Sequence, residues 1–457
     1  MRLVIPPIRS AMARVALSAA LVAAAGCAFA LPGTKIESAA ASPRADEDLD
    51  APVQAVQQGS RSAGENGPRR LVRWRELLES ARRRGELAEI SGRVEQRARD
   101  GPGDAVAWYA LGLLRSAQGR HDEAAAALSR ADSIQRDDAE IEFRWGAALL
   151  AANRAAEARK PLSRAVELAP EDAAARVALA VCLAALGERA AALEAMRDLP
   201  RLSPSAADAD RAVKLARALT DPFRGLGAAQ RRALEPALRD LERDAPGPAL
   251  SQLDVVLARF PALAAGHLLA ALAAERLGES LRAVDELRKA AALAPELPQP
   301  HAYLAQLSAR DRPEMAALEY EEAVKRNPFD PAILRRLGEI DLDRLGRASR
   351  GADWLSRAAQ LVPEDAGLQI LAARAEVTAG SFSAARERVG KAIRTRLGDP
   401  RLLLRLAAAA YDERGGAAGQ AVREFMTQCI EDVLKAVEEV DPENAVARGL
   451  KRAAHEG

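Results

Sequence analysis

A period of 34 residues constrains this chain more than any other feature, because a fixed period makes each row one unit that buries its apolar face only by stacking on its neighbours. Rows begin at 71, 105, 139 and 173. Place 4 of these rows holds Trp74, Trp108, Glu142 and Arg176, place 7 holds Leu77, Leu111, Trp145 and Leu179, and place 8 holds Leu78, Gly112, Gly146 and Ala180. Ile90, Ala124, Ala158 and Ala192 stand at place 20, and Val94, Leu128, Leu162 and Met196 at place 24. Place 32 reads Pro102, Arg136, Pro170 and Pro204. Small residues at places 8 and 20 let two helices approach, large ones at 4, 7 and 24 fill the layer between them, and proline at 32 stops the second helix. The apolar mass agrees: 49% of the chain is hydrophobic but only 3% aromatic, so Ala, Leu and Val dominate and helices are favoured over strands.

The row from Ala105, with Trp108, Leu111, Gly112, Ala124, Leu128 and Ala131, resembles the tetratricopeptide repeat. The resemblance implies an all-α fold, a tetratricopeptide-type solenoid of helical hairpins, here preceded by a disordered N-terminal tether. Recognisable rows cover 71–206 as a first array and 264–398 as a second. The segment 207–263 between them is irregular, with a degenerate row from Gln230 whose first helix Pro236 should spoil. In the second array the row from Pro298 has one residue deleted in its turn, and the row of Leu337, Gly338 and Leu355 carries one insertion. Residues 399–457 read as capping helices, one from Leu402 to Tyr411 and one whose stripe is Val422, Phe425, Met426, Cys429, Ile430, Val433, Leu434 and Val437. That stripe either covers the last repeat or is offered to a partner.

Residues 1–26 have the layout of an export signal: Arg2, Arg9 and Arg14 precede an uncharged Ala-rich stretch that is short and weakly apolar for a membrane span. Ala24-Ala25-Gly26-Cys27 resembles the lipobox of bacterial lipoproteins, which implies a diacylglycerol on Cys27; Ala24 departs from the preferred Leu. Ala28-Phe29-Ala30 fits an ordinary cleavage site, so soluble export, periplasmic or secreted, stays open. Loss of 1–26 takes the formal charge from +1 to about −2, so acyl chains rather than a basic patch would hold the membrane. By family resemblance Ala28 after the cysteine favours the outer membrane, facing the periplasm. Residues 27–70, rich in Ser, Gly, Pro, Gln and acids, read as the disordered tether.

Catalytic motifs are missing from the sequence. Four histidines (His121, His267, His301, His455) and three cysteines lie far apart, which disfavours a metal site or a disulfide framework, and no phosphate cradle, HExxH or GxSxG elbow appears. His267 and His301 occupy place 4 and are expected to be packed structural residues; Cys182 is expected in the core. With Lys+Arg 66 against Asp+Glu 65 there is no basic excess for nucleic acid. No cofactor and no enzymatic activity are expected. In the repeats this chain resembles, places 2, 5, 9, 12 and 13 line a concave groove. That implies a partner-binding groove of Val106, Tyr109, Leu113, Phe143, Leu150, Val177 and Val181, with Tyr109 and Phe143 as aromatic anchors for a peptide or helix, unless these side chains pack on the next repeat. The expected function is a non-enzymatic protein–protein scaffold of the bacterial cell envelope; the competing reading is a ligand-binding or enzymatic accessory with a site in 207–263.

Overall fold

The computed structural model describes residues 87–456 apart from 203, 398, 417 and 418. The export signal, Cys27, the tether and the first helix of the row at 71 lie outside the described residues. Among those described, every regular element is helical, and they fall into two compact units, 87–198 and 199–456.

The first unit holds α1 (Leu87–Asp100), then the hairpins α2–α3 (Ala105–Ala117, His121–Ile134), α4–α5 (Ala139–Ala151, Ala155–Leu168) and α6–α7 (Ala173–Ala185, Arg189–Met196). The row pattern explains the pairing within each hairpin. A Cβ on Gly112 would lie 2.4 Å from Leu128 Cγ, and one on Gly146 would lie 2.4 Å from Leu162 Cγ, so place 8 must be bare for the place-24 leucine to seat. Asp104, Asp138 and Asp172, each just before a first helix, cap it by accepting backbone N–H groups from the first turn. The turn after each first helix passes through the left-handed region at Gly119, Asn153 and Gly187. Gly adopts that conformation freely and Asn tolerates it.

The second unit begins with a 3-10 turn (Leu199–Arg201) and α8 (Ala206–Leu219), followed by α9–α10 (Ala228–Glu242, Pro246–Arg259), α11–α12 (Ala264–Arg276, Ser280–Leu293) and α13–α14 (Gln299–Ser308, Pro313–Arg326). α15 (Pro331–Glu339) runs on as a π turn (Ile340–Arg344) before α16 (Ala348–Leu361), and α17–α18 (Ala366–Thr378, Phe382–Arg394) closes the array. α19 (Pro400–Gly416), α20 (Gln420–Val440) and α21 (Ala445–Glu456) follow.

One expectation is revised, that Pro236 spoils the first helix of the degenerate row: α9 passes through Pro236 without stopping, and Leu234, Leu238 and Leu241 pack with Leu250, Leu253 and Val256 of α10 as in the other hairpins. One missing N–H is outweighed by that shared core. The one-residue insertion near Gly338 takes the form of a π turn, which accommodates an extra residue without ending the helix. There Asp341 is fully buried and faces Arg347 at 3.3 Å and Arg350 at 3.4 Å. The stripe from Val422 to Val437 is buried in one cluster with Ile370, Val377, Val389, Leu403 and Leu406, so it covers the last repeat rather than presenting itself to a partner.

Candidate functional site

The seven expected groove residues do not line an open groove. Val106, Tyr109, Leu113, Phe143, Leu150, Val177 and Val181 are all 9% exposed or less, and Tyr109 is fully buried. The correction has a polar component as well. Tyr109 Oη donates to Glu140 Oε1 at 2.9 Å, across to the first helix of the next hairpin, and Arg144 Nε donates to the same oxygen at 2.9 Å. Tyr109 is therefore a strut between repeats, and its aromatic surface is spent on packing.

The turns between hairpins show what place 4 does. Trp108 Nε1 donates to the Pro102 carbonyl at 3.2 Å, Arg176 Nε to the Pro170 carbonyl at 2.6 Å, and His267 Nε2 to the Pro261 carbonyl at 3.0 Å. In each case the acceptor is the place-32 proline six residues upstream. Arg326 serves Pro295 and Arg396 serves Pro363 in the same way from elsewhere in the fold. A carbonyl at the end of a helix lacks an intrahelical partner, and a side-chain N–H supplies one. His267 also presents Nδ1 to Glu286 Oε2 at 2.5 Å, and Lys289 Nζ reaches Glu286 Oε1 at 2.8 Å. Burial opposes the charge on Glu286, yet these two hydrogen bonds hold its carboxyl below the usual range. His301 is half-buried with Nδ1 2.8 Å from Glu319 Oε2. Both place-4 histidines are thus structural. Cys182 sits in the core with its thiol on the Ala155 carbonyl at 3.1 Å, and burial pushes it up to about 11.

One turn differs from these three. Its place 32 is Arg136 and its place 4 is Glu142, an acceptor where Trp108, Arg176 and His267 are donors. The turn is reshaped around Asp137, whose φ is 59° and whose Oδ1 accepts Arg164 Nη2 at 2.6 Å while Arg164 Nη1 holds Glu167 at 2.9 Å. Between α3, α4 and α5 lies a cleft of about 690 Å³, with Glu142 and Asp132 inside it. Glu142 is 8% exposed, its Oε2 is closed off from solvent, and its carboxyl shares a hydrogen bond with that of Asp132. Burial, reinforced by the neighbouring Asp132 carboxyl, pushes Glu142 up to about 7; burial also raises Asp132. The sequence carried the signal, an acid in the Trp place and an arginine in the Pro place, though it did not mark the row as a site.

Among the described residues no group of His, Cys, Asp and Glu is placed to hold a metal, and no helix is long and apolar enough to cross a membrane. Models of the tetratricopeptide repeat match residues 105–138 and, separately, 143–207 and 304–366. No curated protein matches the sequence. Similar solved structures include MamA (residue 41 to its end) from Desulfovibrio magneticus RS-1, 19% identical over 38% of this chain and 99% of that one, with a TM-score of 0.33. Pseudomonas aeruginosa PilF is 16% identical over 49% of this chain and 97% of that one, with a TM-score of 0.34. Yeast Tom70 is 15% identical over 77% and 88%, with a TM-score of 0.31.

Proposed function

We propose that this chain, which carries tetratricopeptide repeats, is a non-enzymatic protein–protein scaffold of the bacterial cell envelope, tethered to the outer membrane by a lipid on Cys27 and facing the periplasm. The observation that carries the scaffold reading is the stack of capped hairpins, whose ionisable groups inside the turns serve as struts and caps. Such stacks expose long helical surfaces that bind by shape and side-chain chemistry. The arginines, the small-residue run and Cys27 in residues 1–27 support the address.

The partner is a protein segment, helical or extended, that binds a face of the repeats. Since the seven apolar groove residues are interior, the contacts fall on exposed side chains. Leu281 at 90% and Val255 at 72% are the most exposed large apolar residues described, and they are the first to test. Crosslinking in intact cells, followed by detergent purification, compares partners recovered with wild type and with a Val255→Lys, Leu281→Lys variant of unchanged helical circular dichroism. Envelope proteins lost only in the variant support the reading, and recovery of no specific protein from wild type sinks it. For the anchor, metabolic labelling with an alkyne fatty acid should mark wild type and not Cys27→Ala; equal labelling of both removes the lipid from the proposal.

A further inference from the structure

In a stack of hairpins each unit touches only the units beside it in sequence. One helix of the second unit departs from that rule. α8 (Ala206–Leu219) belongs to no hairpin, and among the described residues the helix it packs on is α16, with α9 to α15 between the two in the chain. The 3-10 turn before it packs on α16 as well. Its other end is held by polar side chains from two further places. Gln299 Nε2, on the first residue of α13, donates to the Thr220 carbonyl at 2.8 Å, and Asn327 Nδ2, in the turn between α14 and α15, donates to Thr220 Oγ1 at 3.4 Å. α8 therefore lies across hairpins α13–α14 and α15–α16 instead of stacking in line with them. The face it lays down is an apolar stripe: Ala209, Ala212, Ala216 and Leu219 are all 1% exposed or less, while Asp210, Lys214 and Arg217 are exposed. Alanines let the helix axis approach closely but bury little apolar area apiece. Residues 220–227, which join α8 to α9, form no helix, and Phe223 and Leu226 there pack on the cluster of α9 and α10, so α9 is seated without α8.

We propose that the surface of α13–α16 beneath α8 is a docking site for a helix of another protein, and that α8 fills it in cis as a strap which the partner displaces. This deepens the scaffold reading and rests on its claim that the partner is a protein segment. The chemistry of the partner is that of the strap: an amphipathic helix with small residues at i, i+3 and i+7, leucine at i+10 and a hydroxyl residue directly after it. Bulky side chains at the three small places hold the helix axis away from the surface and are excluded. Gln299 and Asn327 recognise the C-terminal end, where a helix leaves carbonyls without intrahelical partners. The strap sets the threshold for entry, because the apparent affinity of a partner falls in proportion to the fraction of chains whose site is open.

Two measurements on the full chain test this. In native-state hydrogen exchange of wild type, α8 should open by itself, its amides exchanging at least about tenfold faster than those of α13 and α14. In fluorescence polarisation, a labelled synthetic peptide of residues 204–221 stands in for the partner helix. It should bind the Ala212→Lys chain, whose own strap cannot seat, at least about tenfold more tightly than wild type. The Ala212→Lys form of the peptide should not bind, and adding Gln299→Ala to the opened chain should weaken binding of the native peptide about threefold. The opened chain should keep wild-type exchange protection in α13 and α14. Protection of α8 equal to that of α13, or loss of protection in α13 and α14 on opening, would make α8 part of the core and overturn the proposal. No binding of the native peptide to either chain, equal binding to both, or equal binding of the two peptides would overturn it too. None of these outcomes bears on which envelope proteins crosslinking recovers, so their failure leaves the scaffold reading standing.

Discussion

In the hairpin α11–α12 the place-4 side chain is His267, whose ring nitrogens reach the Pro261 carbonyl and the Glu286 carboxylate; in α4–α5 it is Glu142, whose carboxyl meets only another acid, Asp132. The two hairpins share their length, their small residues at places 8 and 20 and their large residue at place 24. They differ in what the turn asks of place 4. At Pro261 the carbonyl takes its donor from place 4, and the position is a structural lock. Where it ends in Arg136, the carbonyl no longer dictates the residue, and an acid is free to occupy a cleft. The same position can therefore lock a turn in one repeat and hold a paired acid in another.

The largest way to break this contrast is to remove the lock. Glu286→Ala leaves the buried His267 and the half-exposed Lys289 without their carboxylate, and should cost about 3 kcal/mol at pH 7. The Glu286 carboxyl is held below its usual range, so its contribution is present above that range and is lost as pH falls through it. Native-state amide exchange should show α11 and α12 deprotected at pH 7, with the gap from wild type closing toward pH 3. Unchanged protection at pH 7 would mean that packing alone secures the hairpin.

A second test asks whether α4–α5 is as tightly closed as the pattern implies. Place 8 is Ala271 in α11 and Gly146 in α4, and a Cβ at Gly146 meets Leu162 Cγ at 2.4 Å. Gly146→Ala should destabilise by roughly 2 kcal/mol, overpacking outweighing the better helix propensity of alanine. Neutral or stabilising behaviour in chemical denaturation would show that Leu162 can move and that the hairpin is looser than its neighbour.

Third, Glu142→Gln tests what the acid at place 4 costs. The folded carboxyl is raised from 4.5 to about 7, so its stabilising share is complete below 4.5 and is lost as pH rises through 7. The amide escapes that loss. At pH 8 the variant should be more stable by roughly 1–3 kcal/mol, and at pH 4 it should match wild type. Thermal melts at both values check this, and a variant less stable at pH 8 would show that the charged carboxyl has a partner after all.

The hairpins were legible in the sequence because places 8, 20 and 24 hold residues whose size alone sets helix spacing, as Gly146 and Leu162 do. Asp104, Asp138 and Asp172 could also have been read as caps, since they recur just before the first helix. Whether Tyr109 and Phe143 line a groove or pack on the next repeat stayed open in the sequence, because it depends on contacts beyond their own hairpin, which a single row does not encode. The donors to the proline carbonyls were hidden for another reason: tryptophan, arginine and histidine share only an N–H, so the conserved element is a hydrogen bond rather than a residue type. The insertion near Gly338 was visible as a count, but its form as a π turn follows from the packing of Asp341 and Leu342.

The smallest test lies at the turn inside each hairpin, where α11–α12 has Gly278 at φ 80° and α4–α5 has Asn153 at φ 60°. Both are left-handed, and L residues pay about 1 kcal/mol there, with asparagine among the least penalised. Asn153→Gly relieves that strain but gives the unfolded chain more freedom, so the net gain should be only a few tenths of a kcal/mol. Gly278→Ala has no local hydrogen bond to compensate and should cost about 1 kcal/mol, with Gly278→Asn falling between. If the turns are equivalent, the steps Gly to Asn at 278 and Asn to Gly at 153 are equal and opposite in urea denaturation. A larger penalty at 278 would mean that the locked hairpin also holds its turn more rigidly, so that the stiffness set by His267 extends along the helix to its far end.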